Sequence, residues 1–429
     1  MLFPIGLSLI RIGLAINNFT LYIATPYSII RVSRGIMDKV VTCHIENYNK
    51  EPELIAEVPG VCTLMGAFSD FCKGYCITGT GALGLRIALS EDKESNMVHL
   101  FDATRKDKKQ FSLSNIKFRK EDKWANYVKG VFYVLSGEGI VLPSGFNITL
   151  KGALLYCDSL TISVSITVGL MLALNHYLSL NFDNNTIIRL SYQACTRFSN
   201  VKVRLRDIIT LMNADKGKVL FFDLQSMDYQ MVEYPFSFVD ENNAYGIILD
   251  PQVPPQILRE ELEEKREEAH DCCEKLEEHL PQEYRLRTYP VSELKSHMIA
   301  ELTEHERRTC EYVLSESIYT QRGFQALKDK DAATFAKCLR DIYISMRDVF
   351  EITCPEVDWL IKRSGETDGI YGATLVSNGA SGSLYLILEQ SGENAYKKHM
   401  EDYKRIFDFL PTTRVFYPGG GARVLDNII

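Results

Sequence analysis

Hydrophobic positions recur along the chain with two different periods, and the difference separates strands from helices. Short apolar or alternating runs, bounded by Gly, Asp and Lys turns, predict strands in the first third of the chain. The same pattern returns in the middle and near the end. The predicted strands cover residues 54–58, 85–89, 97–101, 110–113, 146–156, 219–223, 231–234, 245–249, 372–376, 384–388 and 414–417.

A helical period governs the segments between these strands. The apolar positions of residues 124–135 fall on one face of a helix, and residues 161–180 form a long, mostly apolar run. Residues 258–280 are highly charged, but their apolar residues keep helical spacing, so their acids are expected to form a solvated face. Two more helices are predicted at 335–350 and 393–407. Strands followed by helices, twice over, favour an α+β protein with two joined lobes.

The first 36 residues differ from the rest. They contain Arg11, Arg31 and Arg34 but no acid, and residues 12–30 carry no charge. About 20 apolar residues span a bilayer, so a membrane anchor is one interpretation. The polar residues inside this stretch argue against it. The alternative is that Met37 is the natural start and that residues 1–36 are a start-site artefact.

Composition limits the classes of protein that fit. The chain has 429 residues, of which 46% are hydrophobic and 24% charged, as in a soluble globular protein. Its 48 Lys and Arg against 56 Asp and Glu give a net charge of −8, which disfavours nucleic acid as a partner. No membrane partner is expected unless residues 1–36 form an anchor.

The eleven cysteines are scattered and include no Cys-x-x-Cys pair, which favours a reduced, cytoplasmic protein. Cys72 with Cys76, and Cys272 with Cys273, stand close together in the sequence. Neither pair has a second pair or a His doublet at ligand spacing, so we expect buried thiols here and no metal site.

The sequence gives little evidence of a standard nucleotide-binding loop. No G-x-x-x-x-G-K-[ST] segment occurs. Residues 79–84 match G-x-G-x-x-G, but residues 85–89 after them are predicted as a strand, whereas dinucleotide binding needs a helix there. A glycine-rich hairpin is the expected structure at this point.

Two longer segments resemble a known family. Residues 124–131, WANYVKGV, and residues 345–355, SMRDVFEITCP, are similar to segments of the galactokinases, which belong to the GHMP small-molecule kinase superfamily. The similarity runs in order from about Glu57 to the C-terminus. It implies a two-lobed GHMP kinase fold, with sugar and ATP in the cleft between lobes. The lobes implied are a ribosomal S5-like N-terminal lobe (37–235) and a ferredoxin-like C-terminal lobe (236–429).

The first motif of the family is only partly present. Galactokinases begin with P-G-R-V-N-L-I-G-E-H-T-D-Y, and residues 59–71 here read PGVCTLMGAFSDF. The resemblance assigns sugar binding to Asp70, which is kept. The family's Arg is replaced by Val61, its Glu by Ala67 and its His by Phe68. Loss of a guanidinium beside a transferring phosphoryl group commonly costs about 10² to 10³ in rate.

The phosphate-gripping motif is also altered. No glycine stands between Gly152 and Gly169, and an alternating series remains at Ser159, Thr161 and Ser163, which the resemblance makes weak candidates for phosphate contacts. A third motif, a glycine run lining the cleft, is half kept at residues 377–382 and places Gly379 near the nucleotide. The family's sugar-contacting Tyr falls on Leu262.

The general base has two candidates. In the family an Asp of G-I-M-D-Q lies near the anomeric hydroxyl of the sugar. Alignment on residues 223–226 puts it on Asp207, and alignment on residues 211–212 puts it on Arg206. A shift of one residue turns a side chain by about 100° around a helix. We favour Asp207, although an acid at a helix start also needs no function.

These substitutions lead to two hypotheses. The first is a galactokinase-like pseudokinase with eroded catalytic and phosphate-loop motifs and a sugar-binding, sensing or partner-binding role. The alternative is an active ATP-dependent sugar 1-kinase with Asp207 as base, Asp70 on the sugar and Mg²⁺-ATP as donor. The sequence names no protein partner for either.

Overall fold

The computed structural model describes residues 39–152, 159–236, 244–253, 256–280, 285–297, 302–376 and 382–425. The segment 1–36, with both of its interpretations, lies outside these ranges. Within them, no helix combines the length and the apolar character needed to cross a membrane.

The described residues form twelve strands, and their extents agree with most of the predicted runs. They are β1 (Leu54–Met65), β2 (Tyr75–Asp92), β3 (Met97–Asp102), β4 (Asp107–Ser112), β5 (Gly145–Gly152), β6 (Lys218–Asp223), β7 (Tyr229–Glu233), β8 (Tyr245–Asp250), β9 (Ile370–Leu375), β10 (Leu384–Leu388), β11 (Thr412–Phe416) and β12 (Arg423–Leu425).

Eleven helices lie in the same ranges. They are α1 (residues 39–48), α2 (Ala125–Gly137), α3 (Ser159–Tyr177), α4 (Asn184–Gln193), α5 (Leu205–Asn213), α6 (Gln256–His279), α7 (Val291–His297), α8 (Glu304–Lys328), α9 (Ala332–Ser345), α10 (Pro355–Gly365) and α11 (Gln390–Phe407).

Two sheets organise the molecule. In the described residues the larger sheet has eight strands, ordered β12-β1-β2-β5-β3-β4, with β6 and then β7 paired beyond the first half of β2. The smaller sheet has four antiparallel strands in the order β11-β8-β10-β9. One apolar cluster contains residues from both sheets, including Ile77 of β2 and Ile387 of β10, so the two lobes share part of their core. The expectation of an α+β protein with two joined lobes is confirmed.

The helical stripes pack as their spacing predicts. Val128, Val131 and Phe132 of α2 are fully buried beneath the larger sheet. Phe335 and Leu339 of α9 are buried in the cluster shared by the two sheets. The last part of that stripe is a π-helical turn, Met346–Phe350, which ends at Glu351 with a positive φ of 60°.

The cysteines behave as small apolar residues. Cys72, Cys76, Cys272 and Cys273 are all buried, as expected. Burial raises the pKa of the Cys72 and Cys272 thiols to about 12, so both stay protonated at neutral pH.

The expectation of a glycine-rich hairpin at residues 79–84 is wrong. These residues lie inside the long strand β2 and pair with β1, with a register irregularity between Pro59 and Val61. A Cβ on Gly84 would stand 1.9 Å from the Val58 carbonyl oxygen, so no side chain fits there. The glycines therefore serve close approach of two strands and not a turn.

The expectation that residues 414–417 form the last strand is also wrong. The chain continues into β12, whose Val424 pairs with Ala56 of β1. The strand is only three residues long and has no periodic pattern, so the sequence gives no signal for it. At this edge of the sheet, Glu57 binds Arg86 at 2.5 Å and Arg423 at 2.7 Å.

Candidate functional site

The segment Gly66 to Asp70, called here the 66–70 loop, follows β1 directly. Gly66 has a φ of +80°, and a Cβ on it would stand 2.2 Å from the Tyr75 carbonyl oxygen. A side chain at this position would be strained and would clash with backbone, so glycine is required. Gly74 N–H donates to the Ser69 carbonyl at 2.8 Å, which closes the turn behind the loop. Asp70 thereby lies at the end of a fixed backbone path.

Asp70 forms an ion pair with Arg206 of α5. Nη1 of Arg206 donates to Oδ1 of Asp70, and Nη2 donates to the Ala67 carbonyl at 3.3 Å. The guanidinium is 1% exposed, whereas the Asp70 side chain is 28% exposed, although its Oδ2 atom is buried. Burial lowers the pKa of Arg206 to about 10, while the neighbouring Asp207 carboxylate raises it. Arg206 therefore stays charged at neutral pH.

Asp207 belongs to the same buried cluster. Its Oδ2 accepts from Nε of Arg204 at 2.9 Å, and its Oδ1 lies 4.0 Å from Nε of Arg206. The Asp207 side chain is 1% exposed. Its Oδ1, the Nε of Arg206 and the Oδ2 of Asp70 make no hydrogen bond to any part of the chain that is described. The cluster thus holds two carboxylate oxygens with unused acceptor capacity.

The two candidates for the base position are both drawn into this cluster. Arg206 contacts the 66–70 loop, while its neighbour Asp207 pairs with Arg204, which precedes the helix. Both side chains are buried, and α5 packs against β1 and β2.

Glu316 of α8 lies on the other side of the 66–70 loop. Its Oε1 accepts from the Ala67 N–H at 2.9 Å, and its Oε2 accepts from the Phe68 N–H at 2.8 Å. Burial raises the pKa of Glu316 to about 7, whereas the two N–H groups and Arg206 favour its charged form. Sequence reasoning missed this residue. Its position four residues after Tyr312, on the buried face of α8, was the available signal.

Buried apolar side chains stand at the two positions where the galactokinase motif has Arg and His. Val61 is 1% exposed and lies in a cluster with Val164 and Ile208. Phe68 is fully buried, with its ring centroid 4.9 Å from that of Phe350 and 5.7 Å from that of Tyr312. The two side chains belong to different apolar clusters of the core.

The proposed phosphate contacts are only partly described. Ser159 is the first residue of α3, but the side chains of Ser159 and Thr161 lie outside the description, as does Gly379. Ser163 is fully buried, and its hydroxyl hydrogen-bonds with the Cys195 thiol. Leu262, at the position of the family's sugar-contacting Tyr, is 4% exposed and packs in the core around the smaller sheet.

Among the described residues, no group of three or more His, Cys, Asp or Glu side chains is arranged to bind a metal ion.

The chain is similar in sequence to proteins named as galactokinases. No protein-family model matches the chain. A putative galactokinase of Treponema pallidum is 28% identical over 398 residues, covering 91% of this chain and 97% of that protein. The galactokinase of Clostridium perfringens strain 13 is 24% identical, covering 89% of this chain and 97% of its own length.

Among solved structures, the galactokinase of Lactococcus lactis, in complex with galactose, matches with a TM-score of 0.81 at 18% identity. The match covers 90% of this chain and 99% of that one. A mevalonate kinase matches with a TM-score of 0.58 over 86% of this chain and all of its own. These likenesses confirm the two-lobed GHMP kinase fold expected from the sequence.

Proposed function

We propose that the chain, which is similar to galactokinases over most of its length, is an ATP-dependent kinase that phosphorylates the anomeric hydroxyl of galactose or a closely related sugar. The observation that carries this proposal is the cluster of Asp70, Arg206 and Asp207. It combines a sugar-binding carboxylate, a candidate base and a guanidinium within one buried network.

In the proposed reaction Asp70 accepts hydrogen bonds from sugar hydroxyls through Oδ2, which is buried in this structure and has no partner among the described residues, so a small shift of the side chain must present it to the sugar. Asp207 takes the proton of the anomeric hydroxyl, and Arg204 orients its carboxylate by holding the second oxygen. The deprotonated oxygen forms a bond to the γ-phosphorus of ATP while the bond to the leaving ADP oxygen breaks.

Arg206 contributes the positive charge that the sequence lacks at Val61. It reaches the 66–70 loop from α5 instead of from β1, and it stays buried behind Asp70. Its role in the proposal is to orient Asp70 and to balance the two carboxylates, since an unpaired buried charge is strongly unfavourable.

Mg²⁺-ATP is the proposed donor. The N-terminus of a long helix offers unpaired backbone N–H groups and a positive dipole end, which suit phosphate oxygens. In this chain that helix is α3, beginning at Ser159, and we assign Ser159, Thr161 and Gly379 to the nucleotide side of the cleft.

A second candidate, a pseudokinase that binds a sugar or a partner without turnover, is favoured by two observations. Val61 is packed among apolar side chains in place of the family's Arg. Asp207 is 1% exposed, and a general base must come within hydrogen-bond reach of the proton it removes.

One assay distinguishes the two candidates. The purified chain is incubated with Mg²⁺-ATP and galactose, and sugar 1-phosphate is measured. Turnover at ordinary kinase rates, about 1 to 100 s⁻¹, supports the kinase. Absence of product, together with no thermal shift on adding ATP, supports the pseudokinase.

A further inference from the structure

We infer that Glu316 is a positioning residue that holds the 66–70 loop and thereby fixes Asp70 at the sugar side of the cleft. The part of this inference that concerns sugar binding rests on the proposed function. Its structural part, the holding of the loop, stands on the geometry of the chain alone.

The loop offers two adjacent N–H donors that its own side chains cannot satisfy. Ala67 and Phe68 carry no polar side-chain atoms, and the N–H groups of both point to the same carboxylate. Buried N–H groups without acceptors are costly, so a distant acceptor is needed. Glu316, 249 positions after Ala67, provides one oxygen to each group.

Arg206 completes the frame from the opposite side. It donates to the carbonyl of Ala67 and to the carboxylate of Asp70. The backbone at Ala67 is therefore held at its N–H by α8 and at its carbonyl by α5. The ion pair with Arg206 in turn restricts the side-chain rotation of Asp70.

The aromatic packing supports the same conclusion. Phe68 is anchored between Tyr312 and Phe350, and those two rings stack at 4.4 Å with an interplanar angle of 9°. Tyr312 also directs its hydroxyl to Glu316 at 3.4 Å. The side chain at position 68 therefore fixes the loop where the family places a polar His.

The charge of Glu316 depends on groups from four elements in the described chain. Arg206 faces it from α5, Tyr312 from its own helix, Cys72 from the segment after the loop and Cys76 from β2. Only Arg206 is charged at neutral pH. Protonation of Glu316 converts one of its acceptor oxygens into a donor, and one loop N–H then loses its partner.

The test compares Glu316→Gln with Glu311→Gln, a control on the same helix whose carboxylate is partly exposed and pairs with Arg307 at 3.7 Å. Hydrogen exchange of the peptide containing Ala67 and Phe68 is measured without substrate. We expect exchange to accelerate roughly tenfold or more in Glu316→Gln and to stay unchanged in the control. Equal exchange in Glu316→Gln and the wild type overturns the inference.

The second readout is kinetic. We expect Glu316→Gln to raise KM for galactose about tenfold, with kcat and KM for ATP nearly unchanged, because Asp70 binds sugar and does not react. The wild-type KM should also rise as pH falls from 8 to 6, and this dependence should vanish in Glu316→Gln. A fall in kcat with unchanged KM overturns the positioning role.

Glu316→Asp covers the case in which the Gln variant fails to fold. It keeps the charge but is one methylene shorter, so it cannot reach both N–H groups. Faster loop exchange in this variant supports the inference, and exchange equal to that of the wild type overturns it. If the wild type shows no turnover with galactose, the proposed function fails, while the exchange result still decides whether Glu316 holds the loop.

Discussion

Arg206 and Asp70, 136 positions apart in the sequence, form an ion pair in which the guanidinium is buried and the aspartate is the more exposed member. The pair joins α5 to the loop after β1. Its guanidinium lies between the two carboxylates of the candidate site, Asp70 and Asp207.

Arg206→Met should destabilise the protein by about 3 to 5 kcal/mol, because Asp70 and Asp207 would remain partly or fully buried without their shared cation. Urea unfolding at pH 7 measures this loss. Arg405→Met is the control, since Arg405 is 74% exposed and pairs with Asp402 on the surface of α11. Its effect should stay below about 1 kcal/mol. Equal effects of the two substitutions would contradict a structural role for the Arg206 pair.

Asp207→Asn should lower kcat for sugar phosphorylation by about 10² to 10⁴, because the amide cannot accept the proton of the anomeric hydroxyl. KM for ATP should change little. Asp215→Asn is the matched control, as Asp215 follows the same helix but is 57% exposed. Steady-state rates of ADP release provide the measurement. Undiminished kcat in Asp207→Asn would assign the base to another group.

Restoring the family residues together, as Val61→Arg, Ala67→Glu and Phe68→His, should not raise activity. Val61 and Phe68 are buried in apolar surroundings, so the new charged and polar groups should destabilise the protein by about 3 kcal/mol or more. Sugar 1-phosphate formation and thermal unfolding are measured on the same samples. A gain in turnover from these three changes alone would show that the altered phosphate segment is not limiting.

His44 should make the protein sensitive to acid. It is fully buried on α1, with its ring nitrogens 2.9 Å from the Thr149 hydroxyl and 3.0 Å from the Ser90 hydroxyl. Burial lowers its pKa from 6.5 to about 4. The native state therefore binds fewer protons than the unfolded state between these values. Its stabilising contribution is complete above pH 6.5 and is lost as pH falls through 4.

The measured quantity is the free energy of unfolding of the wild type minus that of His44→Asn. This difference should fall by about 3 kcal/mol between pH 6.5 and pH 4. His176→Asn, which removes an exposed histidine ring, is the control substitution. A pH-independent difference for His44→Asn would mean that His44 is charged in the native state.

Much of the fold could be predicted because local periodicity determines it. The apolar stripe of α2 and the strand runs of the smaller sheet depend only on neighbours a few positions apart. Gly79 to Gly84 misled the prediction, because the sequence cannot tell a glycine that turns from one that lets two strands approach. The close contact between Gly84 and Val58, which is visible only in the structure, shows that Gly84 is of the second kind.

Only part of the candidate site could be predicted from the sequence. Asp70 was found because it keeps its place after Gly66, whereas Glu316 and Arg206 contact the loop across 249 and 139 positions. No local pattern encodes such contacts. The choice between Arg206 and Asp207 also lies beyond an ungapped alignment, since both side chains enter the same buried cluster.

The late position of strand β12 in the sequence affects when the larger sheet can be completed during synthesis. Residues 423–425 cover the outer edge of β1, at residues 55–57, and the 66–70 loop follows that same strand. While the ribosome is still synthesising the chain, that edge has no partner and remains open to pairing with other chains. The lobe whose first strands are translated early therefore gains β12 only after the strands of the smaller sheet have been synthesised.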